Sequence, residues 1–196
     1  MRRLSGKRVE IPSMKEITQE RRRLSYRRRY KRVLKSTAYA LVVVAAVAVL
    51  LATNLLPVLQ VSGDSMNPTL QDQDILVLLK TDTLEKGDLC GFYWQNKLLL
   101  KRIIGIPGDV ISIDGNGLVT VNGEVLAEPY VDEPALGECD LGFPYQVPEN
   151  RFFVMGDHRA TSIDSRSTVV GCVEKSQIVG KVSLIIWPLP RISWID

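Results

Sequence analysis

Leu118-Val119-Thr120-Val121-Asn122-Gly123-Glu124-Val125-Leu126 reads as a hairpin in one line. Apolar residues alternate on both sides of Asn122-Gly123, and Asn-Gly tolerates the positive φ that a two-residue antiparallel connection needs at both positions. Towards the N-terminus, Val110-Ile111-Ser112-Ile113 leads into the turn Asp114-Gly115-Asn116-Gly117 and predicts the strand before the hairpin. Further out, residues 89–94 and 97–104 predict two strands joined by a tight turn at Gln95-Asn96. Ile75-Leu76-Val77-Leu78-Leu79, bounded by Asp74 and Lys80, suits a buried strand. Towards the C-terminus, residues 127–150 are rich in Pro, Gly and acids and read as loop, before strands over 151–155 and 178–187. Short strands, tight turns and few helical patterns predict a mainly β, antiparallel body without an internal repeat.

The N-terminal quarter is built differently. Residues 1–35 carry 14 Lys and Arg against three Glu, a net of +11, and the rest carries 11 bases against 19 acids, a net of −8. Between the basic flank and the acidic body, Thr37 to Leu56 is uncharged. Twenty residues at about 1.5 Å each span roughly 30 Å, the hydrocarbon thickness of a bilayer. The pattern predicts a basic cytoplasmic tail (1–35), a single transmembrane helix (36–56) and an extracytoplasmic body (57–196), because positive flanks stay inside. A cleaved signal peptide has a shorter apolar core, and a buried core helix does not carry a +11 flank. The tail is read as meeting anionic lipid headgroups, not nucleic acid. Its own structure, helical or disordered, is left open, as is the oligomeric state.

Cys90, Cys139 and Cys172 all fall in the body, where disulfides are permitted. An odd count leaves at least one unpaired; Cys139–Cys172 is one of three pairings, and three free thiols are equally compatible. No cysteine pair has zinc-type spacing and His158 is the single histidine, so neither metal nor cofactor is expected.

A candidate nucleophile lies just beyond the apolar stretch. Ser65 sits in Ser62-Gly63-Asp64-Ser65-Met66-Asn67-Pro68-Thr69-Leu70, where Pro57 and Pro68 oppose a continuous helix. A serine hydroxyl needs a base. His158, beside Asp157, is one candidate. Lys101, inside an apolar strand pattern, is the other, since burial disfavours an ammonium. Lowering lysine from about 10.4 to a useful 7–8 costs roughly 4 kcal/mol. Taken alone, Lys101 reads more readily as a solvated edge-strand residue.

Four segments together resemble the type I signal peptidases, the membrane-bound endopeptidases that remove signal peptides from exported proteins, in their Gram-positive form. Ser65-Met66-Asn67-Pro68-Thr69-Leu70 is similar to their nucleophile box and Lys101-Arg102-Ile103-Ile104-Gly105-Ile106-Pro107-Gly108-Asp109 to their lysine box. Gly156-Asp157-His158-Arg159-Ala160-Thr161-Ser162-Ile163-Asp164-Ser165-Arg166 is similar to the third box, and Gly180-Lys181-Val182 through Trp187-Pro188 and Arg191 to the closing strand. The resemblance covers residues 37–196. It implies Ser65 as nucleophile and Lys101 as general base, with Met66 beside them. The Ser162 hydroxyl would hold the Lys101 amine, Asp164 and Arg166 would brace the site, and Asp157 and Arg159 would shape its backbone. The Ser65 N–H would serve the oxyanion.

Gly63 stands where some members place a serine whose hydroxyl completes the oxyanion hole, leaving the second donor to a backbone N–H or water. His158 stands where asparagine is commoner. The implied substrates are preproteins bearing signal peptides, cut after small residues that fill two shallow pockets. The implied second β region, within residues 110–150, should be small. Trp187, Trp194 and Ile195 suit a bilayer interface, though Trp187 suits a core equally. Rival classes are a non-catalytic membrane receptor for export signals, a cytosolic self-cleaving repressor, and a sortase-like transpeptidase using Cys172.

Overall fold

A computed structural model describes residues 13–195. It separates into a helical unit ending at Leu51 and a β unit from Ala52 onward. In the first, helix α1 runs from Met14 to Leu55. Arg21–Leu50 within it is long and apolar enough to cross a membrane, and none of that window is buried against protein. The basic segment from Met14 onward is therefore helical, which the sequence left open; residues 1–12 of the tail lie outside the described residues.

The sheets of the second unit are antiparallel throughout, as expected. Its strands are β1 (Val58–Gln60), β2 (Ile75–Leu79), β3 (Leu89–Trp94), β4 (Lys97–Gly105), β5 (Val110–Ile113) and β6 (Val119–Val121). After these come β7 (Glu124–Val125), β8 (Tyr145–Gln146), β9 (Arg151–Met155), β10 (Val173–Glu174), β11 (Ile178–Trp187) and β12 (Ser193–Trp194). The larger sheet has the order β1-β2-β11-β3-β4-β9-β10, with β12 on β11; the smaller has the order β7-β6-β5-β8. Both hairpin turns form where the sequence places them. Asn122 and Gly123 take φ of 56° and 85°, and Gln95 takes 52° between the paired Trp94 and Lys97.

Residues 127–150 are not wholly loop. Tyr145–Gln146 forms β8 against Val110–Ile111. The pairing is non-local and two residues long, so no local periodicity announces it.

Three apolar clusters fill the unit. Leu76 and Leu78 of β2 pack with Met66, Leu70 and Val182; Ile104, Ile111 and Phe153 join the two sheets; and Cys90, Phe92 and Val154 fill the remaining layer. Gly91 of β3 leaves room for the Leu78 side chain of β2, because a Cβ there would come 2.7 Å from Leu78 Cδ2.

Two features of this layout position the site. Strands β1 and β2 pair from Gln60↔Ile75 outward and so close the intervening loop, pinned by Val61 N–H to Asp74 O at 2.8 Å. Met66 and Leu70 anchor that loop in the core at 2% and 0% exposure. Strand β4 pairs β3 over Lys97–Arg102 and meets β9 only from Arg102 onward, which leaves one edge of Leu98–Lys101 unpaired.

Candidate active site

The pinned loop and the half-open strand bring Ser65 and Lys101 together. Lys101 lies at the point where β4 enters the core and is 3% exposed. Its Nζ stands 2.8 Å from Ser65 Oγ. Burial lowers the Lys101 amine from 10.5 to about 8; Asp164, Asp157 and Asp64 oppose that shift and Arg166 adds to it. The solvated-lysine reading is excluded by this position.

The other residues singled out in the sequence surround this pair. Asp164 is fully buried and ion-paired to Arg166, with Nε to Oδ1 at 2.8 Å. Asp164 Oδ2 also accepts from the Gly156 N–H at 2.9 Å and from Ser162 Oγ at 2.7 Å. The Ser162 hydroxyl thus donates to the carboxylate, and a direct Ser162–Lys101 bond is not found among the described residues. Gly156 sits where a side chain has no room: a Cβ would stand 2.5 Å from the Ser65 carbonyl oxygen and closer still to Ser162 Oγ. The next turn is tied to the nucleophile by the His158 N–H donating to Ser65 O at 3.1 Å.

Gly63 has φ of +96° and its N–H donates to Asp72 Oδ1 at 2.9 Å. That N–H is occupied, so it does not serve as a second oxyanion donor in this arrangement. The Ser65 N–H has no acceptor within the protein among the described residues. His158 faces outward, its Nδ1 3.0 Å from Thr161 Oγ1 and 3.7 Å from Asp64.

All three cysteines are free. Burial pushes the Cys172 thiol up, against the opposing pull of Tyr145 and Arg151, so the thiolate a transpeptidase needs is disfavoured.

Several contributors were not named as site residues from sequence. Arg102, directly after Lys101, makes a buried two-point contact with Asp157 at 2.9 and 2.7 Å, and Thr69 donates to the same carboxylate at 2.6 Å. Arg191 donates to Asp74 Oδ2 and to Thr69 O, holding the far side of the nucleophile loop. Glu128 meets Arg159, and Tyr130 covers Arg102. The adjacency of Arg102 to Lys101 was the one local signal; the rest are pairings across long stretches of chain.

Beside Ser65 lies a cleft of about 120 Å³ between residues 59–66 and 98–101. One wall is the β1 end of the sheet and the other is the unpaired edge of β4. An unpaired strand edge along such a slot is the kind of surface to which an extended peptide adds as a strand.

Comparison with known proteins identifies relatives of the chain. Residues 34–187 match the family model described as signal peptidase, peptidase S26. Signal peptidase I of Bacillus amyloliquefaciens is 32% identical over 166 residues, covering 79% of this chain and 89% of that protein. Signal peptidase I S of Bacillus subtilis is 31% identical over 170 residues, covering 81% and 91%. Signal peptidase IB of Staphylococcus aureus is 34% identical over 155 residues, covering 68% and 79%. A solved signal peptidase I from Enterococcus faecalis overlays with a TM-score of 0.43 at 24% identity, covering 52% of this chain and 98% of that one.

Proposed function

This chain belongs to the signal peptidase family, peptidase S26, and we propose that it is a membrane-anchored serine endopeptidase that removes signal peptides by a Ser65–Lys101 dyad. The observation that carries the reading is a buried lysine amine 2.8 Å from a serine hydroxyl, both lining a cleft that runs along an unpaired strand edge. An amine lowered to about 8 is partly neutral near pH 7, so its lone pair can accept the Ser65 proton across the same contact.

The signal-peptide segment enters the cleft as a strand between Gln60–Gly63 and Leu98–Lys101, with small residues next to the cut. Ser65 Oγ attacks the scissile carbonyl as Lys101 Nζ takes the hydroxyl proton. The Ser65 N–H donates to the oxyanion, an interaction of the kind that dominates acyl transfer. The C–N bond then breaks, and the Lys101 ammonium protonates the leaving amine, which is the new N-terminus of the mature protein. Lys101 next deprotonates a water that hydrolyses the acyl ester and restores Ser65.

Helix α1 serves as the anchor. Its basic flank lies on the cytoplasmic side, against anionic headgroups, and the β unit lies on the outer side. Trp187 and Trp194 are 50% and 76% exposed, which suits contact with the bilayer interface better than a core role.

Incubating the purified protein with a signal-peptide-bearing preprotein and sequencing the new N-terminus tests the reading. One cut after a small residue, lost in Ser65→Ala, is expected. An uncut preprotein would support a non-catalytic receptor instead, and a cut that persists in Ser65→Ala would remove the nucleophile.

A further inference from the structure

We propose that Glu128-Pro129-Tyr130 is a clamp that positions the 156–166 loop under Ser65 and Lys101, with Glu128 and Tyr130 as its positioning residues. The inference rests on the Ser65–Lys101 reading for its consequence in catalysis and on separate contacts for its geometry.

The first arm runs through Arg159. Its side chain is fully buried, and a buried guanidinium without a carboxylate is strongly destabilising. Glu128 supplies that carboxylate from the preceding segment: its two oxygens accept from Nη1, at 2.9 Å, and from Nη2. Arg159 Nε then donates to Gly156 O at 3.0 Å. Gly156 is the residue with no room for a Cβ against Ser65 O and Ser162 Oγ. Charge on Glu128 thus reaches, through one side chain, the tightest backbone approach in the site.

The second arm runs through Arg102. The Tyr130 ring centroid lies 3.8 Å from the Arg102 guanidinium carbon, within cation–π range. Arg102 in turn holds Asp157 and the carbonyl of Gly87. Tyr130 Oη donates to Glu128 Oε1 at 3.2 Å and links the two arms. Pro129 between them fixes its own φ and so reduces the freedom of the segment. The same stretch reaches the third arginine, since Arg166 Nη1 donates to Leu136 O at 2.7 Å.

Neither Glu128 nor Tyr130 lines the cleft beside Ser65. Their influence passes through Arg159 and Arg102 to the loop whose Asp157, Asp164 and Arg166 act on the buried Lys101 amine. Loosening the clamp admits water, returns the Lys101 amine towards its ordinary value and leaves less free amine at neutral pH.

The test uses the full-length protein in detergent, with Tyr130→Ala, Tyr130→Phe and Glu128→Gln. Cleavage is followed across pH, and hydrogen exchange is followed at the amides of residues 156–166. Tyr130→Ala and Glu128→Gln are expected to lower kcat at pH 7 about ten-fold, to keep KM within about three-fold, and to move the pH midpoint upward. Tyr130→Phe keeps the ring over Arg102 and is expected to stay within about two-fold of wild type. Exchange should rise at 156–166 in the two impaired variants and not in β2 or β11. If Glu128→Gln does not fold, the partly buried Tyr130 decides the matter. An unchanged pH midpoint and unchanged exchange in folded Tyr130→Ala would overturn the clamp, as would Tyr130→Phe being as impaired as Tyr130→Ala. A wild-type protein that cuts nothing, while its loop responds as stated, would leave the clamp standing and remove the hydrolase reading.

Discussion

Lys101→Met is expected to abolish cleavage and to make the protein harder to unfold at neutral pH. Both effects come from one cause. The amine is held at about 8 by burial, about 2.5 units below its unfolded value, and each unit is worth about 1.4 kcal/mol. The linkage has a definite sign. Between pH 8 and 10.5 the unfolded chain binds a proton that the folded chain does not, so stability rises with pH across that window. Below it the full cost of burying the lysine applies, up to about 3 kcal/mol. Met has similar volume and no charge, so it removes the cost without leaving a large cavity. Subtracting about 1 kcal/mol for the lost contact with Ser65 leaves a gain of about 2 kcal/mol, or roughly 4–8 °C in Tm. Activity falls by at least about 10³-fold, since a serine hydroxyl without its base is a poor nucleophile. Thermal unfolding at pH 7 and pH 10 checks this: the advantage of Lys101→Met should shrink at the higher pH. A Lys101→Met protein less stable than wild type at pH 7 would mean that the lysine is not held against its charge.

Asp164→Ala is expected to have the largest effect on stability. The carboxylate is fully buried and accepts from Gly156 N–H, Ser162 Oγ, and the backbone N–H, Nε and Nη2 of Arg166. Its removal strands the Arg166 guanidinium, itself fully buried, with carbonyl oxygens as its remaining acceptors. Breaking such a pair from one side costs about 3–5 kcal/mol. Denaturant unfolding should show that loss. Cleavage should fall further than the folded fraction does, because Gly156 and Ser162 lose their common anchor. A change under about 1 kcal/mol would mean that Arg166 is solvated after all.

The larger features of the fold were legible because they are local. The bounds of β2, β5, β9 and β11 follow from apolar runs between turn residues, and Asn122-Gly123 and Gln95-Asn96 turn where their chemistry favours positive φ. The strands that sequence missed, β1, β8, β10 and β12, are two or three residues long and exist only through distant partners such as Val110↔Gln146. The same divide runs through the site. Ser65, Lys101, Asp164 and Arg166 stand out in short boxes that a family resemblance picks up. The groups that hold those boxes in place do not. Thr69 meets Asp157, Arg102 meets Asp157 and Glu128 meets Arg159 across 88, 55 and 31 residues of chain, distances over which no periodicity carries information. Ser162 shows the limit of residue-by-residue transfer. Its position agrees with the resemblance, while its hydroxyl donates to Asp164.

The protonation state of Lys101 is the point on which the dyad turns, and it can be read directly. With 13C-labelled lysine in detergent-solubilised protein, the Lys101 side-chain resonance is identified by its loss in Lys101→Met and followed across pH. A midpoint near 8 is predicted, coinciding with the rise of kcat/KM. A midpoint near the ordinary value of 10.5, with cleavage still active at pH 7, would contradict a neutral amine as the base for Ser65.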